Sequence, residues 1–484
     1  MAWYDDSEQL KARAEAAIIV RAFAPEKIDI GGVLTPDGWI EYMYAENQFL
    51  ARESYLEPIR NVLGQRGELG EPDRVIRDIV LVSVEFTPEA RSQAAEAAAR
   101  GEGPQSMLLR LLNEIDATVG PGIATPNHVL TTANGSPCGC PATEPQETYA
   151  PRPYPALCTG KGGDRVRIWV ADTGFVPETV TVSGDDWLTD VTGDGDPSVT
   201  WDGAILSYGG HGTFVAGVIR AMAPGAEIVV KCVFDKAGSA LESDFVPKLY
   251  QGFGFGADIF HITVASQTRC NLPLMAFEAW LEDLRSHKGV ACIVPAGNNG
   301  SRQPCWPAAF PGIISVGALA TDQRSRAYFS NFGGWVDVYA PGENLVNAFP
   351  KGTFTCVVPP YKGQDRTFSG LAQWSGTSFS TPIVTGLIAA RMTRCGESAR
   401  EAAEALLARA RGQLVPGAGP ALFPECDGDQ SCGRRDGGAG RCGCRQGRYD
   451  DGCRRGRCGC GDCECGGGCG CGCGNRERRG PAPR

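Results

Sequence analysis

The chain has 484 residues, a formal net charge of −10, and 42% apolar against 21% charged residues, which excludes a wholly disordered polymer. No apolar run reaches the roughly 18–20 residues of a membrane-spanning helix, and the acidic balance argues against a general nucleic-acid binder. The 21 cysteines do not fit this ordinary picture, because 12 of them lie between Cys426 and Cys473.

At roughly 150 residues per domain the length allows about three units. The start, Met1-Ala2-Trp3-Tyr4-Asp5-Asp6, is acidic and lacks the basic-then-apolar pattern of a secretory signal. Taken alone, that start predicts a cytoplasmic protein. Glu8–Phe23, rich in Ala, Lys, Arg and Glu, reads as a helix. Asp78–Phe86 (DIVLVSVEF) alternates like a strand, Pro88–Arg100 opens with a proline suited to a helix start, and Met107–Ile115 is a second periodic helix. Asn127–Thr132 (NHVLTT) reads as a returning strand. The strand–helix–helix–strand order predicts a small α+β domain over residues 1–133, with no catalytic pattern of its own. The run Asn134-Gly135-Ser136-Pro137-Cys138-Gly139-Cys140-Pro141 and the prolines at 145, 151, 153 and 155 predict a linker over 134–163.

Residues 164–411 alternate apolar strands with helical stretches. Val166–Ala171, Glu227–Phe234, Asp258–Ala265, Val290–Pro295 and Ile313–Ala318 are short apolar runs, with helices expected over Thr213–Met222 and Leu274–Ser286. Continuous apolar strands separated by helices predict a mostly parallel sheet covered on both faces. Three motifs in this block stand out together. Asp172-Thr173-Gly174 follows the strand VRIWVA, at the carboxyl end where open parallel sheets place their sites. His211-Gly212-Thr213 opens a helix, and Gly376-Thr377-Ser378-Phe379-Ser380-Thr381-Pro382 leads into another.

A serine hydroxyl needs a neighbouring base, and the imidazole needs a carboxylate to fix its tautomer. The motifs supply one of each, with His211 as base then acid and Asp172 as its orienter. An oxyanion also needs donors, and Ala296-Gly297-Asn298-Asn299-Gly300 offers the Asn298 amide. Singly, each motif has an ordinary structural reading as a turn, a core histidine or a helix cap. Together they require order, spacing and the asparagine to coincide by accident.

At these residues the sequence resembles the subtilisin-like serine proteases (subtilases, peptidase S8), which carry Asp, His and Ser in this order. Ala223-Pro224-Gly225-Ala226, Trp306-Pro307-Ala308, Ser330-Asn331-Phe332-Gly333 and Tyr339-Ala340-Pro341-Gly342 extend the likeness over roughly 164–395. The resemblance implies a three-layer α/β fold and a serine endopeptidase acting on protein or peptide substrates through an acyl-enzyme, with no cofactor in the chemistry. It also implies that Thr263-Val264-Ala265 lines a substrate cleft where a peptide adds as a strand, with Thr263 and Gly297 as walls. An ordinary core strand is the alternative. Ala265, where the family typically has Gly, brings a methyl towards the first specificity pocket. His261 on this strand reads as a core residue and not a second base.

The family often binds calcium, and Asp190-Val191-Thr192-Gly193-Asp194-Gly195-Asp196 places carboxylates at alternate positions. It lacks a Glu at the twelfth position, so a structural calcium and a solvated acidic turn both stay open, and no metal ligand is assigned. The family also implies an N-terminal inhibitory domain, cut somewhere in 134–163, and largely secreted proteins, which leaves location open.

From Glu425 onward there is no Ile, Leu, Val, Met, Phe or Trp, and Cys426–Arg484 carries 12 Arg against eight acidic residues. Such a segment cannot build a core. Residues 412–484 are therefore expected as a disordered Cys/Gly/Arg-rich tail. Its Cys-x-Cys pairs could hold a soft metal or form disulfides. That leaves a second functional hypothesis, a metal- or thiol-binding protein acting through the tail with the α/β domain as scaffold.

Overall fold

A computed structural model describes residues 6–24, 29–34, 40–102, 104, 106–132, 142–158, 162–179, 186–234 and 236–424. The cysteine-rich tail lies outside the described residues, and with it the tail hypothesis. After helix α1 (Asp6–Phe23), the N-terminal part is an antiparallel sheet. Its strands are β1 (Ile30–Leu34), β2 (Ile40–Arg52), β3 (Gly67–Leu69), β4 (Asp73–Ile76), β5 (Ile79–Phe86) and β6 (Ala124–Thr132). Helices α2 (Leu56–Leu63), α3 (Pro88–Ala99) and α4 (Met107–Thr118) complete it.

Two of the three helices predicted for this part, α3 and α4, start where the local chemistry dictates. Thr87 accepts from Ala90 N–H ahead of Pro88, and Ser106 accepts from Leu109 N–H at the start of α4, which satisfies donors a helix start leaves open. Leu108, Leu112 and Ile115 of α4 pack with Ile59 and Leu63 of α2 over Phe49, Val82 and Val84 of the sheet. Sequence reading missed β1, β2, β3, β4 and α2. In β2 the pairing with β6 shifts register between Tyr44 and Phe49, and such a bulge destroys the two-residue alternation that betrays a strand.

The larger part is a seven-stranded sheet, parallel at every pairing. Its strands are β7 (Arg167–Asp172), β8 (Thr192–Gly193), β9 (Glu227–Cys232), β11 (Ile259–Ile262), β13 (Ala291–Pro295), β14 (Ile314–Leu319) and β15 (Val338–Pro341), in the spatial order β15-β14-β13-β11-β7-β9-β8. β7 shows why the run VRIWVA is uninterrupted. Ile168 and Val170 pack on one face, with helices α5 (His211–Met222) and α8 (Thr377–Cys395), whereas Trp169 and Ala171 pack on the other, with α7 (Met275–Ser286). Both faces are dry, so both parities are apolar.

Two short strands leave this sheet. β10 (Ser239–Leu241), just ahead of α6 (Glu242–Lys248), and β12 (Val264–Ala265) pair antiparallel with β6, one on each side. The N-terminal sheet thereby continues into the larger domain. Ion pairs follow the same seam: Arg269 binds Asp116 and Asn113 of α4 at 2.6 Å each, and Arg77 pairs with Glu282 and Asp283 at the end of α7.

Part of the expected linker is fixed in place. Gln146 exchanges two backbone hydrogen bonds with Gln373, and Tyr154 exchanges two with Val346. Cys158 and Cys395 are each disulfide-bonded. The expected tail also begins later than residue 412. After α9 (Ala399–Ala410), Val415 and Ala421 are buried with Tyr339, and Leu422 N–H donates to the Tyr339 carbonyl. These apolar residues give the stretch to 424 a core contact. Among the described residues, no helix is long and apolar enough to cross a membrane.

Candidate active site

Asp172 ends β7, His211 opens α5, and Ser378 is the second residue of α8. All three are fully buried. The two motif turns come together because Gly212 has no side chain: a Cβ there would lie 2.2 Å from the Gly174 carbonyl oxygen. His211 Nδ1 is 2.8 and 3.0 Å from the two oxygens of Asp172. Thr263 Oγ1 donates to the same carboxylate at 2.6 Å, and Thr173 N–H donates at 2.7 Å. Burial alone would raise the Asp172 carboxyl, but the adjacent imidazole and these hydrogen bonds hold it below the ordinary carboxylate range.

An Nδ1–H donor to Asp172 leaves Nε2 as the basic nitrogen of His211, and Nε2 is buried without a hydrogen-bond partner. The ring is fixed between the edge of Trp374, 5.5 Å away between centroids, and Phe379 at 5.2 Å. Phe379 follows Ser378 directly, so the serine turn and the imidazole share one packing contact. Ser378 Oγ is also buried without a partner.

Asn298 Oδ1 accepts from Thr377 N–H at 2.8 Å and from Thr377 Oγ1 at 2.9 Å. Those contacts fix the amide orientation and leave its NH2 group buried without a partner. Gly297 N–H donates to Thr377 Oγ1 at 3.2 Å. Gly297 has φ +98°, and a Cβ there would lie 2.6 Å from Asn331 Nδ2. Burying an unpaired polar group costs free energy. Here a base, a hydroxyl and an amide donor are buried unpaired on three adjoining motifs, which are the groups acyl transfer employs.

Val264 and Ala265 do form a β edge, and it is occupied: Val264 pairs with Thr132 and Ala265 with Thr131. Thr263, expected as a cleft wall, turns its hydroxyl to Asp172. Thr263→Val is therefore expected to lower kcat about tenfold through a loosened Asp172, since hydrogen bonds to charged groups are worth ~1.5–3 kcal/mol. Steady-state kinetics on a peptide substrate check this, and an unchanged kcat would remove Thr263 from the site. The residues sequence reading missed are Thr263 in this role, Thr377, and the aromatic walls Trp374 and Phe379. Thr377 and Phe379 lie within the serine motif; Trp374 carries no sequence signal.

His261 Nδ1 is 2.8 Å from Thr385 Oγ1 on α8, and burial pushes its imidazole down to about 3. It is a neutral core residue in the working range. In the acidic loop Asp194 binds Lys231 Nζ at 2.6 Å, whereas Asp196 bonds Thr173, Ser198 and Gly210. Among the described residues, no group of three or more His, Cys, Asp or Glu is placed to hold a metal ion.

Comparison with known proteins shows the family. The profile of the Subtilase family (Peptidase_S8) matches residues 163–428. The thermophilic serine proteinase of Bacillus sp. (strain AK1) is 30% identical over 262 residues, covering 51% of this chain and 56% of that protein. Subtilisin Savinase of Lederbergia lenta is 30% identical over 242 residues, covering 48% and 77%. The chain thus spans little more than half the length of the first of these relatives. Fervidolysin from Fervidobacterium pennivorans, a keratinolytic enzyme related to subtilisin, shares the fold at 18% identity, with a TM-score of 0.51, over 82% of this chain and 62% of its own.

Proposed function

Since the chain belongs to the subtilase family, we propose that it is a serine endopeptidase acting on protein or peptide substrates through an acyl-enzyme on Ser378. The observation that carries this is the pairing of His211 Nδ1 with Asp172 while His211 Nε2, Ser378 Oγ and the Asn298 amide stay buried without partners. Nε2 takes the hydroxyl proton as Oγ attacks the carbonyl carbon. The carbonyl oxygen gains negative charge, and Asn298 donates to it. The imidazolium, stabilised by Asp172, then gives its proton to the leaving amine as the C–N bond breaks. Water repeats the sequence to release the acid and restore the serine.

The same reading makes the N-terminal part an inhibitor in cis. β6 fills the edge where a peptide would add, with β10 on its other side. Thr143 accepts from the Trp374 indole Nε1–H through its carbonyl and from the Ser375 backbone N–H through its hydroxyl, just before the serine motif. Residues 134–141, part of the expected cleavage region, lie outside the described residues.

A fluorophosphonate is expected to label the protein once its N-terminal part is removed, and absence of labelling would sink the protease reading. Activity is expected to fall on acidification, because only a neutral His211 accepts the serine proton. A pH–rate profile that stays flat well below the histidine range would contradict that role.

A further inference from the structure

The helix that carries His211 begins without a cap of its own. Gly210 sits at the N-cap position and has no side chain to accept from the first turn, where backbone N–H groups lack intrahelical partners. The missing acceptor comes from another segment. Asp196 Oδ2 accepts from Gly210 N–H at 2.8 Å and from Thr173 Oγ1 at 3.0 Å, while Oδ1 accepts from Ser198 N–H at 2.9 Å. Thr173 Oγ1 in turn accepts from Gly212 N–H at 3.1 Å. Asp196 is only 6% exposed.

We infer that Asp196 is a positioning residue for the triad: its carboxylate caps the His211 helix in trans and clamps the first turn of that helix to the strand end bearing Asp172. The clamp grips both sides of the His211–Asp172 pair, through Gly210 and Gly212 flanking the histidine and through Thr173 beside the aspartate. A carboxylate at a helix N-terminus also meets the positive end of the helix dipole. Nothing in the Asp-Thr-Gly or His-Gly-Thr motifs reveals it, because Asp196 lies 24 positions after Asp172 and 15 before His211.

The ionised carboxylate is the form that accepts all three bonds. Burial, reinforced by the charge of Asp172 and opposed by the three hydrogen bonds, pushes Asp196 up to about 6. Asp172 and His211 are the other ionisable partners in the network, and Asp194 is engaged by Lys231. Protonating Asp196 removes an acceptor and loosens the clamp, in the same direction as protonating His211.

The inference rests on the protease reading and is tested on the processed enzyme. Asp196→Asn is expected to lower kcat about 10–100-fold with KM within about twofold, the cost of a misplaced catalytic group. The acid limb of kcat/KM is expected to be steeper than one proton in the wild type and to become single-proton in the variant. If Asp196→Asn fails to fold, Thr173 decides: Thr173→Val should lose kcat similarly, while Thr173→Ser keeps the relay and stays near wild type. Unchanged kcat in Asp196→Asn and Thr173→Val, or a single-proton limb common to wild type and Asp196→Asn, overturns the inference. Fluorophosphonate labelling of wild-type Ser378 in the same preparation shows whether the protease reading itself still stands.

Discussion

Ser378→Ala is expected to abolish fluorophosphonate labelling and to cut kcat by roughly 10⁴–10⁶-fold, leaving the residual rate that oxyanion stabilisation and binding give without a nucleophile. The residue makes no hydrogen bond through Oγ, so its removal breaks no structural contact and folding should be preserved. That separates a chemical effect from a structural one. His211→Ala should cost a similar factor, and the double variant should be no worse than either alone, because nucleophile and base act as a unit. Additive losses in the double variant, or labelling of the alanine protein, would show that another residue carries the reaction. KM is expected to stay nearly constant, since the change leaves untouched the Val264–Ala265 edge proposed to receive the peptide, which here pairs with Thr131 and Thr132.

The reach of the sequence into this site has a physical limit. Asp172, His211, Ser378 and Asn298 were legible because each lies in a short motif whose glycines and turn residues are needed locally, such as the Gly212 approach to the Gly174 carbonyl. The strands of the parallel sheet were legible because burial on both faces leaves a continuous apolar run. Contacts between segments far apart in sequence were not. Thr263 reads as one more strand residue until the sheet sets it beside Asp172, and Asp196 reads as part of an acidic turn until that turn folds back on Gly210. The pairing of β6 with Ser239–Leu241 and Val264–Ala265 follows the same rule. NHVLTT announces a strand, but nothing in its pattern says which edges it joins, because β pairing is fixed by tertiary packing and not by propensity. The bulge in β2 hid a whole strand in the same way.

Leu130→Asp in the full-length chain is expected to raise the fluorophosphonate labelling rate of Ser378 by ~10²-fold or more, by weakening the hold of β6 on the cleft. Leu130 is fully buried in the apolar cluster that includes Ala240, Val264 and Trp306, all of the larger domain. Exposing such a side chain forfeits about 1.5–3 kcal/mol of transfer free energy, and a carboxylate placed there adds a desolvation cost unless β6 withdraws. Withdrawal frees the Val264–Ala265 edge for a peptide. A second variant approaches the same contact through the backbone. Thr132→Pro removes the N–H that donates to the Gly238 carbonyl at 2.8 Å and leaves the apolar contacts of Leu130 intact. It should accelerate labelling by a smaller factor. Residues 143–146 hold Gln373–Ser375 independently of β6, so neither change should release that segment. The sequenced N-terminus of the processed enzyme is accordingly expected before Thr143. If both variants label as slowly as the wild type while enzyme freed of its N-terminal part labels fast, β6 is not the barrier, and the inhibitory reading of the N-terminal part fails.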